Sequence, residues 1–266
     1  MNKKIGFVGC GNMGSAMVGG IINSNLVNAK NIIASCKRES SAKNLAEKFN
    51  IKTTLNNVEV CKESDIVFLA VKPYMYKDVI REIRDYIDDE KIIVTIAAGV
   101  TLAQVEEWFN KDVKIVKTMP NTPALVGEAM TAICANKNVI DNELDMVISI
   151  FDSFGKSEVL EEKYFHAFTA LCGSSPAYVY MFIEAMADAA VKQGLPRDKA
   201  YKMASQAVLG SAKMVLETGE NPGKLKDNVC SPGGTTIEAV IELERQGFRN
   251  AVISAIEKCE EKSKSM

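Results

Sequence analysis

Near the amino terminus, Gly9-Cys10-Gly11-Asn12-Met13-Gly14 follows the short apolar run Ile5-Gly6-Phe7-Val8, placing G-x-G-x-x-G where a strand turns into a helix. That spacing suits a pyrophosphate. Gly9 permits the tight turn, Gly11 removes the side chain that would block the approach of an anion to the backbone, and Gly14 lets the helix lie close on the strand. Asn12 and Met13 open the helix, whose first-turn amides have no partner within it and face the anion. About 20 residues further on, where a site for an unphosphorylated ribose carries an acid, this chain reads Ala34-Ser35-Cys36-Lys37-Arg38. A hydroxyl followed by two cations suits a 2′-phosphate, with Arg38 able to form paired hydrogen bonds and Lys37 adding charge. The expected cofactor is NADPH, with NADH also possible.

A second set of residues lies near the carboxyl terminus, in Ser231-Pro232-Gly233-Gly234-Thr235-Thr236-Ile237-Glu238. Thr235 and Glu238 have the spacing of a capping box, so a helix is expected to begin here. Gly233 and Gly234 can turn successive amides inward, and with the helix dipole they could hold a small carboxylate without Arg or Lys. Thr236 brings a hydroxyl beside that pocket. The same pattern also describes an ordinary capped helix. A comparable helix start is Gly173-Ser174-Ser175-Pro176, which makes Ser174 a second candidate substrate contact. The single histidine, His166, sits among aromatics and reads as a packing residue. Met13, Met17, Met181 and Met186, at helical spacings, also read as packing.

These residues need a scaffold, and the chain alternates strand and helix patterns through its first half. Residues 4–9, 31–35, 65–70, 91–96 and 113–119 read as strands, with helices over 40–49 and 101–109 between them. Runs such as IVFLAV and IIVTIAA are apolar without alternation, as required of strands covered on both faces. The expected fold is α/β, a doubly wound Rossmann-type parallel sheet, followed by a C-terminal all-α domain. The dinucleotide-binding domain is expected over residues 1–160 and a helical substrate and dimerisation domain over 161–266. In that second part residues 177–193 carry polar side chains almost only at Glu184, Asp188 and Lys192, leaving too much apolar surface for one small domain to cover. A homodimer, or a higher homo-oligomer, is the expected state. Residues 257–264 mix charges and read as a solvated helix face or a fraying end.

Composition narrows the function classes. The 266 residues are 47% hydrophobic and 25% charged, which is ordinary globular composition, and 32 cations against 34 anions give a net charge of −2. No overall attraction to nucleic acid or anionic lipid follows. No run approaches the about 18 apolar residues of a membrane span, and glycines interrupt the stretch after Lys3 and Lys4 that could imitate a secretory leader. Seven dispersed cysteines and one histidine supply neither a disulfide framework nor a metal site, and such thiols point to the cytoplasm.

Beyond the glycine loop, the chain contains Ala70-Val71-Lys72-Pro73, Ala97-Ala98-Gly99, Met119-Pro120-Asn121-Thr122-Pro123, the segment 174–178, and Leu225-Lys226-Asp227-Asn228-Val229 leading into the Ser231 to Thr236 block. Together these resemble the pyrroline-5-carboxylate reductase family over nearly the whole length, and the last block resembles its signature. Lys117 stands where the family often has Arg, and Ser175 where glycine is commoner. The resemblance implies NADPH-dependent reduction of the cyclic imine 1-pyrroline-5-carboxylate to L-proline in a dimer with interlocked helical domains. It also implies that Asn57 contacts the adenosine side of the cofactor, that Ala70, Val71, Lys72 and Pro73 lie near its reactive half, and that Asn121 and Thr122 contact the nicotinamide side. Gly234, Thr235 and Thr236 are then the segment holding the substrate carboxylate, with Thr236 bonded to the ring nitrogen and acting as the catalytic group.

Two rival functions remain on sequence grounds. A hydroxyacid dehydrogenase of related architecture needs an acid or base for the hydroxyl proton, typically a lysine in the helical domain, and the apolar run 177–191 has none. A non-catalytic NADP(H)-sensing interaction protein would bind the nucleotide without imine-dependent turnover.

Overall fold

The computed structural model describes residues 1–265, which divide into two compact units: Met1–Gly173 with the segment from Glu260 onward, and Ser174–Cys259. The first unit runs β1 (Ile5–Val8), α1 (Asn12–Asn23), β2 (Ile32–Ser35), α2 (Glu39–Phe49), β3 (Lys52–Thr54), α3 (Asn57–Glu63), β4 (Ile66–Leu69) and α4 (Tyr76–Ile83). It continues with β5 (Ile92–Thr95), α5 (Leu102–Phe109), β6 (Lys114–Met119), β7 (Ala129–Ala135), α6 (Asp141–Asp152), β8 (Gly155–Val159) and the single turn α7 (Phe165–Phe168). The strands form one sheet in the order β3-β2-β1-β4-β5-β6-β7-β8. Every adjacent pair is parallel except β6 with β7.

The five expected strands all form, and their lack of polar alternation has the expected cause. In β4, Ile66 and Phe68 join a core with Met17 and Ile21 of α1 and Phe151 of α6, while Val67 and Leu69 join another with Val60 of α3, Ile80 of α4 and Val105 of α5. Phe7 stacks on Phe68 with centroids 4.7 Å apart. Helix α5 starts at the expected Thr101, whose hydroxyl accepts from the Gln104 amide while the Gln104 side chain accepts from Thr101 N, and it ends at Asn110 in the left-handed conformation. The chain returns to the opposite side of β1 when it enters β4, and this reversal opens a crevice at the carboxyl ends of β1 and β4.

The second unit is entirely helical: α8 (Ser175–Lys192), α9 (Arg197–Thr218), α10 (Pro222–Val229), α11 (Thr235–Arg245) and α12 (Phe248–Lys264), whose last turn belongs to the first unit. Pro196 is the N-cap of α9. Among the described residues, the buried apolar side chains of this unit are Ala187, Ala200 and Ala204. Met181, read from sequence as packing, is 68% exposed, and Tyr180, Met203, Leu209 and Leu216 are exposed with it. Residues 257–264 are the mostly exposed last part of α12, the solvated helix face of the two alternatives, although Ser263 is buried with its hydroxyl 2.9 Å from His166 Nδ1. That bond gives His166 the structural role expected of it. No described helix is long and apolar enough to cross a membrane.

Candidate active site

The carboxyl ends of five strands line one cleft of about 810 Å³ in the first unit. Gly9, Cys10, Gly11, Asn12 and Met13 come from the end of β1, and Cys36, Lys37, Arg38 and Ser41 follow β2. Ala70, Val71, Lys72 and Pro73 follow β4, with Ile96 to Ala98 after β5 and Met119 and Pro120 at the end of β6.

The glycine loop has the geometry its spacing suggests. Gly9 adopts φ +75°, where an added Cβ would also meet Val71 Cγ1 at 2.5 Å. At Gly11 an added Cβ would meet nothing within 4 Å, so the backbone there is open to a ligand. Gly11 is the N-cap of α1, no side chain caps the helix, and its first turn carries no acid. The amides and the positive dipole end are thus available to an anion. Gly14 does not line the cleft; it lies against Cys10 and Ala70, as a packing glycine should. The open cradle, the unclaimed amides and the cations Lys37 and Arg38, neither of which pairs with a carboxylate among the described residues, fit a phosphorylated dinucleotide.

Four expected contacts, Ser35, Asn57, Asn121 and Thr122, are not among the residues lining this cleft. Ser35 is buried, and its hydroxyl accepts from Gly9 N at 2.9 Å while donating to Asn57 Oδ1 at 2.7 Å, so it braces the loop instead of lining the phosphate pocket. Asn57 is half-buried at the start of α3, with Nδ2 donating to Glu82 Oε2 at 2.9 Å. Asn121 is buried, its amide donating to Cys172 O at 3.0 Å and accepting from Met130 N at 2.9 Å. It therefore fixes the turn after Met119 and Pro120, and neither it nor the exposed Thr122 lines the cleft.

The lining also includes residues that motif reading did not single out as contacts: Cys10, Cys36, Ser41, Met75, Ile96, Ala97, Ala98, Met119 and Pro120. The available signal was positional, since ligands of open parallel sheets bind beyond the carboxyl ends of strands. Tyr76 holds two such ends together, donating to Leu69 O at 2.6 Å and accepting from Ile96 N at 3.2 Å. Burial raises its phenol pKa, which keeps that donor protonated. Burial also pushes the Cys10 thiol up to about 12, with nearby Cys36 adding to the effect. Among the described residues no cluster of acidic, His or Cys side chains is arranged to hold a metal.

In the second unit Gly233 has φ +67°, and Gly234 donates to Ser231 O at 3.0 Å before capping α11. The capping box expected from Thr235 and Glu238 does not form, because the N-cap is Gly234 and Thr235 is already the first helical residue. No side chain caps the helix, so the amides of its first turn remain available. Thr236 is half-buried in that turn. Ser174 is the N-cap of α8 but makes no side-chain cap bond; its hydroxyl accepts from Cys259 Sγ at 3.2 Å. Tyr178 joins this cluster, and its bond with Cys259, then burial, raises its pKa.

Residues 162–266 match the family described as pyrroline-5-carboxylate reductase dimerisation, and residues 4–99 match that described as NADP oxidoreductase coenzyme F420-dependent. The pyrroline-5-carboxylate reductase of Escherichia coli (strain K12) is 52% identical over 266 residues, covering 100% of this chain and 99% of the relative. A pyrroline-5-carboxylate reductase from Coxiella burnetii superimposes with a TM-score of 0.93 at 33% identity, covering 100% of this chain and 98% of that one. The Plasmodium falciparum pyrroline carboxylate reductase, solved with NADP bound, gives 0.89 at 37% identity, with 99% and 98% covered. Full-length identity of this size, with the glycine loop and the uncapped α11 in place, makes this chain a member of the pyrroline-5-carboxylate reductase family.

Proposed function

We propose that this protein reduces 1-pyrroline-5-carboxylate to L-proline with NADPH. The observation that carries this reading is the first unit's cleft, where an open glycine cradle and the unpaired cations Lys37 and Arg38 meet a lining from five strand ends. The substrate class comes from the full-length relatives. The amides after Gly11, with Asn12 and Met13, hold the pyrophosphate, and Lys37 and Arg38 hold the 2′-phosphate. Ala70, Val71, Lys72 and Pro73 line the reactive half, while Asn121 braces the turn after Met119 and Pro120, in which Thr122 follows. When bound, NADPH supplies the hydride that adds to the imine carbon.

In the second unit the amides around Gly233, Gly234 and Thr235 bind the substrate carboxylate, with Ser174 as a further polar contact. Thr236 accepts a hydrogen bond from the ring nitrogen of the protonated imine and orients it. The nitrogen carries its proton from solvent into the site, so reduction needs no separate acid and the protein acts chiefly by positioning. Residues 1–160 serve the cofactor and 161–266 serve substrate binding and dimerisation. Seven free thiols suit a reducing compartment, and we place the enzyme in the cytoplasm.

The direct test follows the loss of NADPH absorbance with pyrroline-5-carboxylate and purified protein, with a lower KM expected for NADPH than for NADH. Turnover of hydroxy acids instead of the imine would establish a dehydrogenase, and NADPH binding without turnover would establish a sensor.

A further inference from the structure

A hydrogen-bonded chain runs from the surface of the first unit to the amide that turns the glycine loop. Glu82 Oε2, on the exposed side of α4, accepts from Asn57 Nδ2 at 2.9 Å. Asn57 Oδ1, at the start of α3, accepts from Ser35 Oγ at 2.7 Å, and Ser35 Oγ accepts from Gly9 N at 2.9 Å. The chain thus joins two helices, a strand end and the loop, and neither Glu82, Asn57 nor Ser35 lines the cleft.

Its direction has a physical origin at one end. An ionised carboxylate only accepts hydrogen bonds, whereas an amide both donates and accepts and can rotate. With Glu82 present, the Asn57 NH2 group points outward and its oxygen points inward. Ser35 must then donate its single proton to that oxygen, leaving a lone pair directed at Gly9 N–H. If Asn57 turned over, its NH2 would compete with Gly9 for the Ser35 oxygen. The hydroxyl proton would have only Phe7 O, 3.5 Å away, at the limit of a useful bond. Gly9 stands at φ +75°, so the orientation of its amide sets the turn that delivers Gly11 and the first turn of α1.

We propose that Glu82 is a positioning residue for the cofactor, orienting Asn57 and Ser35 so that the Gly9 amide holds the glycine loop in its binding conformation. The inference rests on the reading of the cleft as the NADPH site. The side chain acts by accepting a bond, not through its charge, because a negative charge near an anionic cofactor would by itself weaken binding.

The test measures NADPH affinity by fluorescence titration, with steady-state kinetics, for the parent, Glu82→Ala, Glu82→Gln, Asn57→Ala and the Glu82→Ala/Asn57→Ala pair. Glu82→Ala is expected to weaken NADPH and NADH alike by about fivefold, the scale of one net hydrogen bond. Saturated kcat and the KM for pyrroline-5-carboxylate stay at parental values, a split that general destabilisation would not produce. Glu82→Gln keeps an acceptor and restores affinity to within about twofold. In the Asn57→Ala background, removing Glu82 has no further effect, since the chain is already cut. Parental or tighter NADPH binding by Glu82→Ala, or an undiminished effect without Asn57, would overturn the inference and leave the cleft assignment intact. A parent protein that binds no NADPH would remove both.

Discussion

Thr236 lies in the first turn of α11, and among the described residues its hydroxyl has no side-chain hydrogen bond to give up on meeting a substrate. Thr236→Ala is expected to reduce kcat/KM by about 1–3 kcal/mol of transition-state stabilisation while NADPH affinity holds, as steady-state kinetics would show. Cys61 gives a prediction of a different kind. Burial pushes its thiol up to about 12, against an opposing effect of Lys91. The unfolded thiol releases its proton from about pH 8.5 while the folded one keeps it, so this group's contribution is whole below that pH and falls as pH rises toward 12. The unfolding free energy from urea denaturation should drop more steeply between pH 8 and 10 for the parent than for Cys61→Ala, by on the order of 1–2 kcal/mol. At this scale glycine roles were readable from spacing, because each reflects a local steric demand. The engagement of Ser35 and Asn121 was not, since their partners lie 22 to 28 and 9 to 51 residues away.

Strand β6 carries a nearly buried cation, Lys117, whose Nζ lies 2.8 Å from Glu162 Oε1 and 4.8 Å from the Phe165 ring centroid. The same Glu162 oxygen accepts from Leu102 N at 2.8 Å, so one carboxylate ties β6 to the first turn of α5. Lys117→Met keeps the apolar stem but leaves Glu162 without its ion pair. A loss of about 1–3 kcal/mol in urea denaturation is expected, below the full buried-pair value because Glu162 is 31% exposed. Lys117→Arg retains the charge and the ion pair and should lose less stability than Lys117→Met. Elements with strong apolar runs or explicit caps, such as β4, β5 and α5, were legible from sequence. β3 (Lys52–Thr54) and β8 (Gly155–Val159) were not, because Lys52-Thr53-Thr54 and Gly155-Lys156-Ser157-Glu158-Val159 offer few apolar residues and are strands chiefly through backbone pairing with β2 and β7. The capping box at Thr235 failed for a similar reason: the turn at Gly233 moved the helix start onto a residue with no side chain.

A helical unit whose buried apolar residues, among those described, are three alanines has no adequate core of its own, and a homo-oligomer supplies the missing cover. Its thermal midpoint should therefore rise with protein concentration, and light scattering at micromolar concentration should give at least a dimer mass. Leu209, 54% exposed in the single chain, is a suitable probe. Leu209→Glu should shift the mass toward monomer and lower the midpoint, whereas a concentration-independent midpoint with monomer mass for the parent would end the oligomer account. The amino-acid order alone determined the alternation of strands and helices, the glycine cradle, the adjacent cations Lys37 and Arg38, and the apolar excess of the helical half, because those are properties of neighbours in the chain. Tertiary structure decided which polar side chains face the cleft and which brace it, because a hydroxyl or an amide takes its role from partners brought near only by folding.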